Sequence, residues 1–131
     1  MSNPVHINTI VSPAGIVREN DKGRGVYARR DFAKGNLVER SPVILVRAAD
    51  VRGKLIRYTF EWQPRNMHAI ALGVGSLFNH AVDPNLDFRL VIDRREIEFT
   101  ARRAIARGEE LTIHYAGEPG VDTAVGFKVR S

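Results

Sequence analysis

The chain has 131 residues, which is the length of one compact domain with its own hydrophobic core. Hydrophobic residues make up 44% and charged residues 27%, a mixture that is typical of globular proteins and excludes disorder as the main state. The absence of cysteine excludes disulfides, cysteine-ligated zinc and a catalytic thiol. Residues 1–12 lack a basic segment followed by an apolar run, and no stretch reaches the roughly 18 apolar residues of a membrane span. We therefore expect a soluble intracellular protein, either cytoplasmic or in the nucleus of a host cell.

The net charge is +5, because 20 lysines and arginines outnumber 15 aspartates and glutamates. Nucleic-acid binding would require clustered basic residues, whereas basic and acidic residues alternate along most of this chain. The short basic pairs at 29–30, 94–95 and 102–103 are interpreted as solvated strand and turn faces rather than a phosphate-binding stripe. We do not expect nucleic acid to be a direct ligand.

The first third of the chain predicts β-strands. The turn Gly23-Arg24-Gly25 precedes the apolar residues 26–28, and a second glycine turn at 35–36 precedes an apolar run at 43–46. Residues 50–62 begin with helical spacing of apolar residues and end in alternation, so we expect a short helix running into an extended segment. Residues 67–78 contain two glycines among apolar residues, which predicts a buried segment with closely packed backbone.

The clearest prediction is a hairpin of residues 86–92 and 97–101, in which apolar and charged residues alternate around a turn near 93–95. Leu111, Ile113 and Tyr115 then share one face of a final strand, whose other face shows Thr112 and His114. Together these patterns predict one domain over residues 1–131, with a core at about 14–116. Residues 117–131 are expected to form a flexible C-terminal tail unless a ligand or partner orders them.

Three motifs are spread along the chain in a fixed order. They are Gly23-Arg24-Gly25-Val26-Tyr27, the segment 78–85 with sequence FNHAVDPN, and the segment 108–115 with sequence GEELTIHY. Each motif alone is typical of an ordinary turn, a capped loop or a turn that enters a strand. Their order and spacing together resemble the SET domain, a family of protein-lysine methyltransferases, and especially its minimal stand-alone viral and bacterial members.

This resemblance spans roughly residues 16–115 and implies a mainly β fold. The expected fold has small curved sheets, one or two short helices and a pseudoknot-like crossing of the Asn-His segment with the last strand. It also implies S-adenosylmethionine as the cofactor and the side-chain amine of a lysine in a protein substrate as the methyl acceptor. A histone or another basic protein would be such a substrate.

The resemblance assigns the site residue by residue. Gly23, Arg24 and Gly25 would line the pocket for the methionine portion of the cofactor, because side chains at the glycines would block close backbone approach. Asn79 and His80 match the pair that binds the cofactor, with adenine alongside. An asparagine offers both donors and an acceptor to the amino-acid end of such a ligand.

Tyr115 matches the tyrosine that faces the methyl-transfer site, and Tyr58 matches an aromatic position that shapes the lysine channel. Methyl transfer from a sulfonium is an in-line displacement, so it requires alignment of a neutral amine and exclusion of water more than a strong base. A tyrosine hydroxyl can orient the amine, and aromatic walls attract a cationic centre. We therefore assign catalysis to Tyr115 and substrate binding to Tyr58.

Two departures from the family bear on how the site is completed. Larger members cover the substrate channel with a cysteine-rich zinc segment, which this chain cannot build. Either the tail or a second copy of the chain, as a homodimer, would have to cover the site. A basic substrate would also favour an acidic groove, for which Glu61, Glu109 and Glu110 are the candidates.

Other interpretations stay open. A small basic β-barrel that binds nucleic acid would explain the charge, and a SET-like module without catalysis would keep the fold alone. Trp62 is assigned to packing, and His68 and His114 to surface or capping positions, without a functional role. The four histidines have no metal-ligand spacing, so no metal site is expected.

Overall fold

A computed structural model describes residues 10–63 and 66–115, and the expected tail lies outside them. Strands dominate this part of the chain, as the alternating pattern predicts. The strands are β1 (Ile10–Val11), β2 (Gly15–Asn20), β3 (Gly23–Ala28), β4 (Leu37–Arg47), β5 (Thr59–Glu61), β6 (Met67–Ala71), β7 (Asn79–His80), β8 (Leu86–Val91), β9 (Glu96–Ala101) and β10 (Glu110–Ile113).

The strands form two open five-stranded sheets rather than a closed barrel. The first sheet has the order β1-β2-β3-β10-β7, and the second has the order β5-β6-β4-β9-β8. Strands β2 and β3 form a hairpin through a two-residue turn. Gly23, which directly follows this turn as the first residue of β3, has φ +109°. Glycine is needed there because other residues rarely adopt this conformation. The open sheets argue against the small-barrel alternative.

The last strand joins two distant parts of the first sheet. It pairs antiparallel with β3, where Leu111 lies opposite Val26, and parallel with β7, where Thr112 lies opposite Asn79. The amide of Ala81 also donates to the carbonyl of Ile113 at 2.9 Å. This parallel pairing brings the Asn-His segment beside the end of the chain's last motif, as the expected pseudoknot-like arrangement requires.

The predicted hairpin of β8 and β9 is confirmed, with its turn in residues 92–95. Its inward face places Phe88 opposite Phe99, and Phe99 is completely buried. Phe78 packs edge-on against Phe99, with ring centroids 4.8 Å apart, a geometry that aromatic pairs favour. Phe78 directly precedes the Asn-His pair, so the core of the second sheet fixes the position of this motif.

The helical content consists of short 3-10 turns, and no α-helix occurs in the described residues. The turns are Ala48–Asp50, Gly53–Tyr58, Gly75–Leu77 and Ile92–Arg94, against the one or two short helices expected. The predicted helix before β5 corresponds to Gly53–Tyr58, which contains no fully buried residue and runs directly into the strand. A segment of this length and exposure lacks the buried face that stabilises an α-helix. Nothing in the described residues is a helix that could cross a membrane.

The expected surface positions of two histidines are wrong. His68 is buried at 5% exposure, and its Nδ1 lies 2.9 Å from the hydroxyl of Thr59 on the neighbouring strand. His114 is buried at 9% exposure, and its ring packs against His80 with centroids 4.8 Å apart. Thr112, on the opposite face of the last strand from Leu111, is also buried, and Asn85 packs against it through hydrogen bonds. Trp62 is a core residue, as predicted.

Candidate functional site

A groove of about 230 Å³ opens beside the first glycine turn, and we call it the Asn79 groove. Its wall combines residues at the β2–β3 turn, residues around β7 and Tyr58, which directly precedes β5. The lining residues are Lys22, Gly23, Arg24, Tyr58, Leu77 and Asn79. Three of these, Gly23, Arg24 and Asn79, are residues to which the sequence assigned cofactor binding.

Asn79 is held in one orientation by two acceptors. Its side-chain nitrogen donates to the carbonyl of Arg24 at 2.8 Å and to a carboxylate oxygen of Glu110 at 2.7 Å. An amide nitrogen has two hydrogens, so these contacts use its whole donor capacity. The side-chain oxygen of Asn79 is therefore the atom that remains to accept a hydrogen bond from a ligand.

Glu110 belongs to this site, whereas the sequence analysis named it only as a candidate for an acidic substrate groove. Besides Asn79, its carboxylate contacts the side-chain nitrogen of Asn20 at 3.5 Å and the amine of Lys22 at 3.4 Å. The pairing of β10 with β3 delivers Glu110 to the glycine turn, because Glu110 lies opposite Tyr27. The motif at 108–115 contained this glutamate, but only the strand pairing shows which residues it reaches.

Gly25 lies on β3, where the surrounding side chains leave no room for a Cβ atom. A Cβ atom there would collide with the carboxylate of Glu110 and lie 2.8 Å from the side-chain nitrogen of Asn20. It would also lie 3.1 Å from the side-chain nitrogen of Asn79. Gly25 is thus required for the approach of these three side chains rather than as a wall of the groove.

Tyr58 also lines a second, much smaller cavity of about 10 Å³, and we call it the Tyr115 pocket. It has room for about one water molecule in this conformation. Its lining residues are Arg57, Tyr58, Thr59, Phe60, Gly75, Ser76, Phe78, Ile113 and Tyr115. Tyr58 is the one residue that lines both the groove and the pocket among the described residues.

Tyr115 is buried at 5% exposure and is held at both ends. Its hydroxyl donates to the carbonyl of Phe78 at 3.2 Å, and its backbone amide donates to Nδ1 of His80 at 3.1 Å. A phenolic oxygen that donates one hydrogen also has lone pairs with which it can accept one. The arrangement fixes the side chain of Tyr115 at the wall of the pocket.

Ser76 is a residue that the sequence analysis missed. Its hydroxyl donates to the carbonyl of Tyr58 at 2.7 Å and accepts from the amide of Ala71 at 2.8 Å. The hydroxyl therefore connects the start of β5 to the end of β6 at the wall of the Tyr115 pocket. A serine beside a glycine is too common in turns for its role to be recognised from sequence.

Glu39 supports the loop that carries Ser76. Its carboxylate is buried and accepts from the backbone amide of Val74 at 3.1 Å and from the hydroxyl of Ser41 at 3.3 Å. Burial raises the pKa of this carboxyl above its ordinary value, an effect that the two hydrogen bonds oppose only in part. No cation pairs with it among the ion pairs of the described residues.

His80 does not line either cavity in the described structure. Its ring accepts from the amide of Tyr115 and packs against the rings of His114 and Tyr115. His80 therefore contacts Tyr115, the residue to which we assigned catalysis. The assignment of His80 to cofactor binding stays a prediction, as do the assigned roles of the other site residues.

The expected acidic patch does not form. Glu109 accepts from the backbone amide of Ala106 at 2.7 Å and pairs with Arg103, while Glu110 points to Asn79. Only Glu61 remains as an exposed carboxylate of the three. Glu109 and Glu110 are neighbours at the start of β10, but other groups of the fold engage both carboxylates, and Glu61 lies on β5 of the other sheet. Within residues 10–63 and 66–115, no cluster of three potential metal ligands is found.

Comparisons with known proteins agree with this geometry. The sequence profile of the SET domain matches residues 23–116. A histone-lysine N-methyltransferase of Schizosaccharomyces pombe, specific for lysine 37 of histone H3, is 32% identical over 116 residues. That alignment covers 85% of this chain and 78% of the relative.

Solved structures show the same fold. A candidate histone methyltransferase of Plasmodium falciparum gives a TM-score of 0.65 at 21% identity, covering 78% of this chain and 96% of that one. A chain of an active polycomb repressive complex 2 in the basal state gives a TM-score of 0.60 at 23% identity. This second match covers 71% of the present chain but 13% of the much longer one. The chain therefore belongs to the SET-domain family, which includes histone-lysine methyltransferases.

Proposed function

We propose that this protein transfers a methyl group from S-adenosylmethionine to the side-chain amine of a lysine in a histone or another basic protein. The observation that carries the proposal is that Tyr58 lines both cavities. One cavity holds the predicted cofactor residues Gly23, Arg24 and Asn79, and the other holds Tyr115. A transfer between two ligands requires two sites that meet at one point.

The residues of the Asn79 groove fit the amino-acid end of the cofactor. An ammonium group needs acceptors, and the side-chain oxygen of Asn79 and the carbonyl of Arg24 are acceptors at the groove. Gly23 allows the backbone to approach a ligand closely, and Gly25 leaves room for the side chains of Asn79 and Glu110. When bound, S-adenosylmethionine supplies a methyl group on a cationic sulfonium.

The Tyr115 pocket fits the acceptor amine. Free lysine has a pKa near 10.4, so a neutral amine at neutral pH requires desolvation, which an aromatic pocket provides. The hydroxyl of Tyr115 would orient this amine, while Tyr58 and Phe60 would exclude water. The pocket must widen to admit a lysine side chain, since its present volume is about 10 Å³.

The substrate class follows from the relatives. A 32% identical relative acts on histone H3, so histones are the first proteins to test. The reaction also implies a location where cofactor and substrate meet, which would be the cytoplasm or the nucleus of a host cell.

The cover of the Tyr115 pocket belongs to the same proposal. We propose that the tail after Tyr115 or a second copy of the chain completes the channel. Deletion of residues 120–131 tests the tail, with activity and oligomeric state as readouts. Unchanged activity in the truncated chain would exclude the tail, and activity in a strictly monomeric sample would exclude the second copy.

The decisive experiment for the function is calorimetric titration of S-adenosylmethionine, followed by transfer of labelled methyl groups to recombinant histone H3. Asn79→Ala is the test variant, because it removes the ligand-facing oxygen. Asn36→Ala is the matched control, because Asn36 caps an exposed turn away from both cavities. Binding that is lost in Asn79→Ala alone supports the proposal, whereas equal binding in both variants contradicts it.

A further inference from the structure

Three cations lie on the turn that leads into Tyr58. Arg52, Lys54 and Arg57 are all exposed, and we call them the cationic turn. None of the three forms an ion pair within the described residues, and the nearby Asp50 pairs with Arg47 instead. In this they differ from Arg94, Arg102 and Arg103, which pair with carboxylates.

The cationic turn borders the site. Arg57 lines the Tyr115 pocket, and the turn ends at Tyr58, which lines both cavities. A lysine that enters the pocket would therefore approach a surface of the same charge. The acidic groove that was expected to attract a basic substrate is dispersed, since Glu109 and Glu110 are engaged elsewhere.

Like charges across an interface oppose association, so a basic substrate requires an anionic group between itself and the cationic turn. Basic proteins such as histones lie on nucleic acid, which supplies this group as phosphate. Arginine pairs with phosphate through two parallel hydrogen bonds, and an exposed turn can follow a phosphate backbone. Two of the three cations are arginines.

We infer that the cationic turn binds the phosphate backbone of nucleic acid beside the target lysine, so that a nucleic-acid-bound substrate is preferred to the free basic protein. This inference rests on the proposed function and goes beyond it. It assigns nucleic acid as a docking partner, whereas the charge pattern of the sequence gave no reason to expect a direct ligand. The three cations lie within residues 52–57, and the structure shows that they are exposed and form no ion pair within the described residues.

The first measurement uses labelled duplex DNA and does not depend on methyl transfer. The test variant combines Arg52→Gln, Lys54→Gln and Arg57→Gln. The control combines Lys34→Gln, Arg95→Gln and Arg107→Gln, which removes the same charge from exposed positions that line neither cavity. Fluorescence anisotropy across a salt series should show about a tenfold loss of affinity in the test variant alone. The slope of log affinity against log salt should fall by about 3.

The second measurement compares methylation of recombinant histone H3 free and bound to the same duplex. The double variant Arg52→Gln/Lys54→Gln spares the pocket-lining Arg57. The wild type and the control should methylate bound histone faster than free histone, and the double variant should lose this preference. A catalytic defect alone would lower both rates together and leave their ratio unchanged.

Equal salt slopes in the wild type and the test variant would overturn the inference. So would a test variant that binds DNA normally but loses activity on a peptide with acidic residues beside the lysine, because the turn would then recognise protein. A wild type that binds DNA through the turn but never binds S-adenosylmethionine would support the phosphate contact and contradict the proposed function. The two failures are therefore distinguishable.

Discussion

The side chain of Asn79 donates a 2.7 Å hydrogen bond to the carboxylate of Glu110. This contact joins the second and third sequence motifs, which are brought together by the parallel pairing of β7 and β10. Together with the carbonyl of Arg24, the carboxylate determines which atom of Asn79 faces the groove. Under the proposed function, Glu110 would be a positioning residue that acts on the cofactor through Asn79.

Replacement of Glu110 tests this relationship. Glu110→Ala removes the acceptor and should weaken S-adenosylmethionine binding by about tenfold, since a hydrogen bond to a charged group contributes roughly 1.5–3 kcal/mol. Glu110→Gln retains an acceptor oxygen for Asn79 and should restore most of the affinity. Calorimetry on both variants measures the effect. Equal affinity losses in the two variants would show that only the charge matters and not the orientation of Asn79.

Replacement of Tyr115 separates catalysis from folding. Tyr115 lines the pocket, and Tyr115→Phe removes its hydroxyl and the hydrogen bond to the carbonyl of Phe78. Methyl transfer should slow by about a hundredfold or more, because the amine loses its orienting group. Affinity for S-adenosylmethionine should stay unchanged, and stability should fall by about 1 kcal/mol.

The matched control is Tyr27→Phe, which removes a hydroxyl that accepts from Asn20 and lines neither cavity. Single-turnover rates and thermal unfolding on both variants distinguish the outcomes. Full activity in Tyr115→Phe would contradict the catalytic assignment.

The hydroxyl of Ser76 should matter for the shape of the lysine channel. Ser76→Ala leaves the amide of Ala71 without its partner and frees the carbonyl of Tyr58. An unpaired amide costs about 1–3 kcal/mol of stability, and the loosened wall should raise KM for the substrate more than it lowers kcat. Ser76→Thr keeps the hydroxyl and should recover the wild-type KM.

Ser12→Ala is the comparison for Ser76, because its hydroxyl also bonds to backbone groups but lies at an exposed turn outside both cavities. Steady-state kinetics with a histone substrate measure the split between KM and kcat. If Ser76→Thr raises KM as much as Ser76→Ala does, the hydroxyl does not determine the shape of the channel.

Glu39 makes the stability of the fold dependent on pH. Burial raises the pKa of Glu39 in the folded state, so protonation of this carboxyl stabilises the fold. This contribution to the free energy of unfolding is fully present below about pH 4 and is lost as pH rises through the raised pKa. Glu39→Gln keeps an acceptor but does not ionise. The stability of the wild type should therefore fall relative to this variant as pH rises from about 4 to 8.

Urea unfolding at several pH values measures the difference between wild type and Glu39→Gln. Glu19→Gln is the control, since Glu19 is an exposed carboxylate on β2. A difference between wild type and Glu39→Gln that does not vary with pH would show that Glu39 is not the titrating group.

The sequence by itself determined the mainly β class, the β8–β9 hairpin and the motifs of the site. Alternation of apolar and charged residues specifies a strand with one buried face, so the pairing of Phe88 with Phe99 could be expected. The motifs at 23–27, 78–85 and 108–115 identified the family because their order and residue types are local properties of the chain.

Only the tertiary structure decided which side chains meet. Glu110 reaches Asn79 across 31 residues, and Ser76 reaches Tyr58 across 18, so neither contact has a local signature. His114 follows a strand whose pattern suggested an open face, yet packing against His80 buries it. The cationic turn also depends on the fold, because the same charges would be neutralised if acidic residues lay opposite them. Alternation reports the period of a strand, whereas pairing between distant strands determines its neighbours.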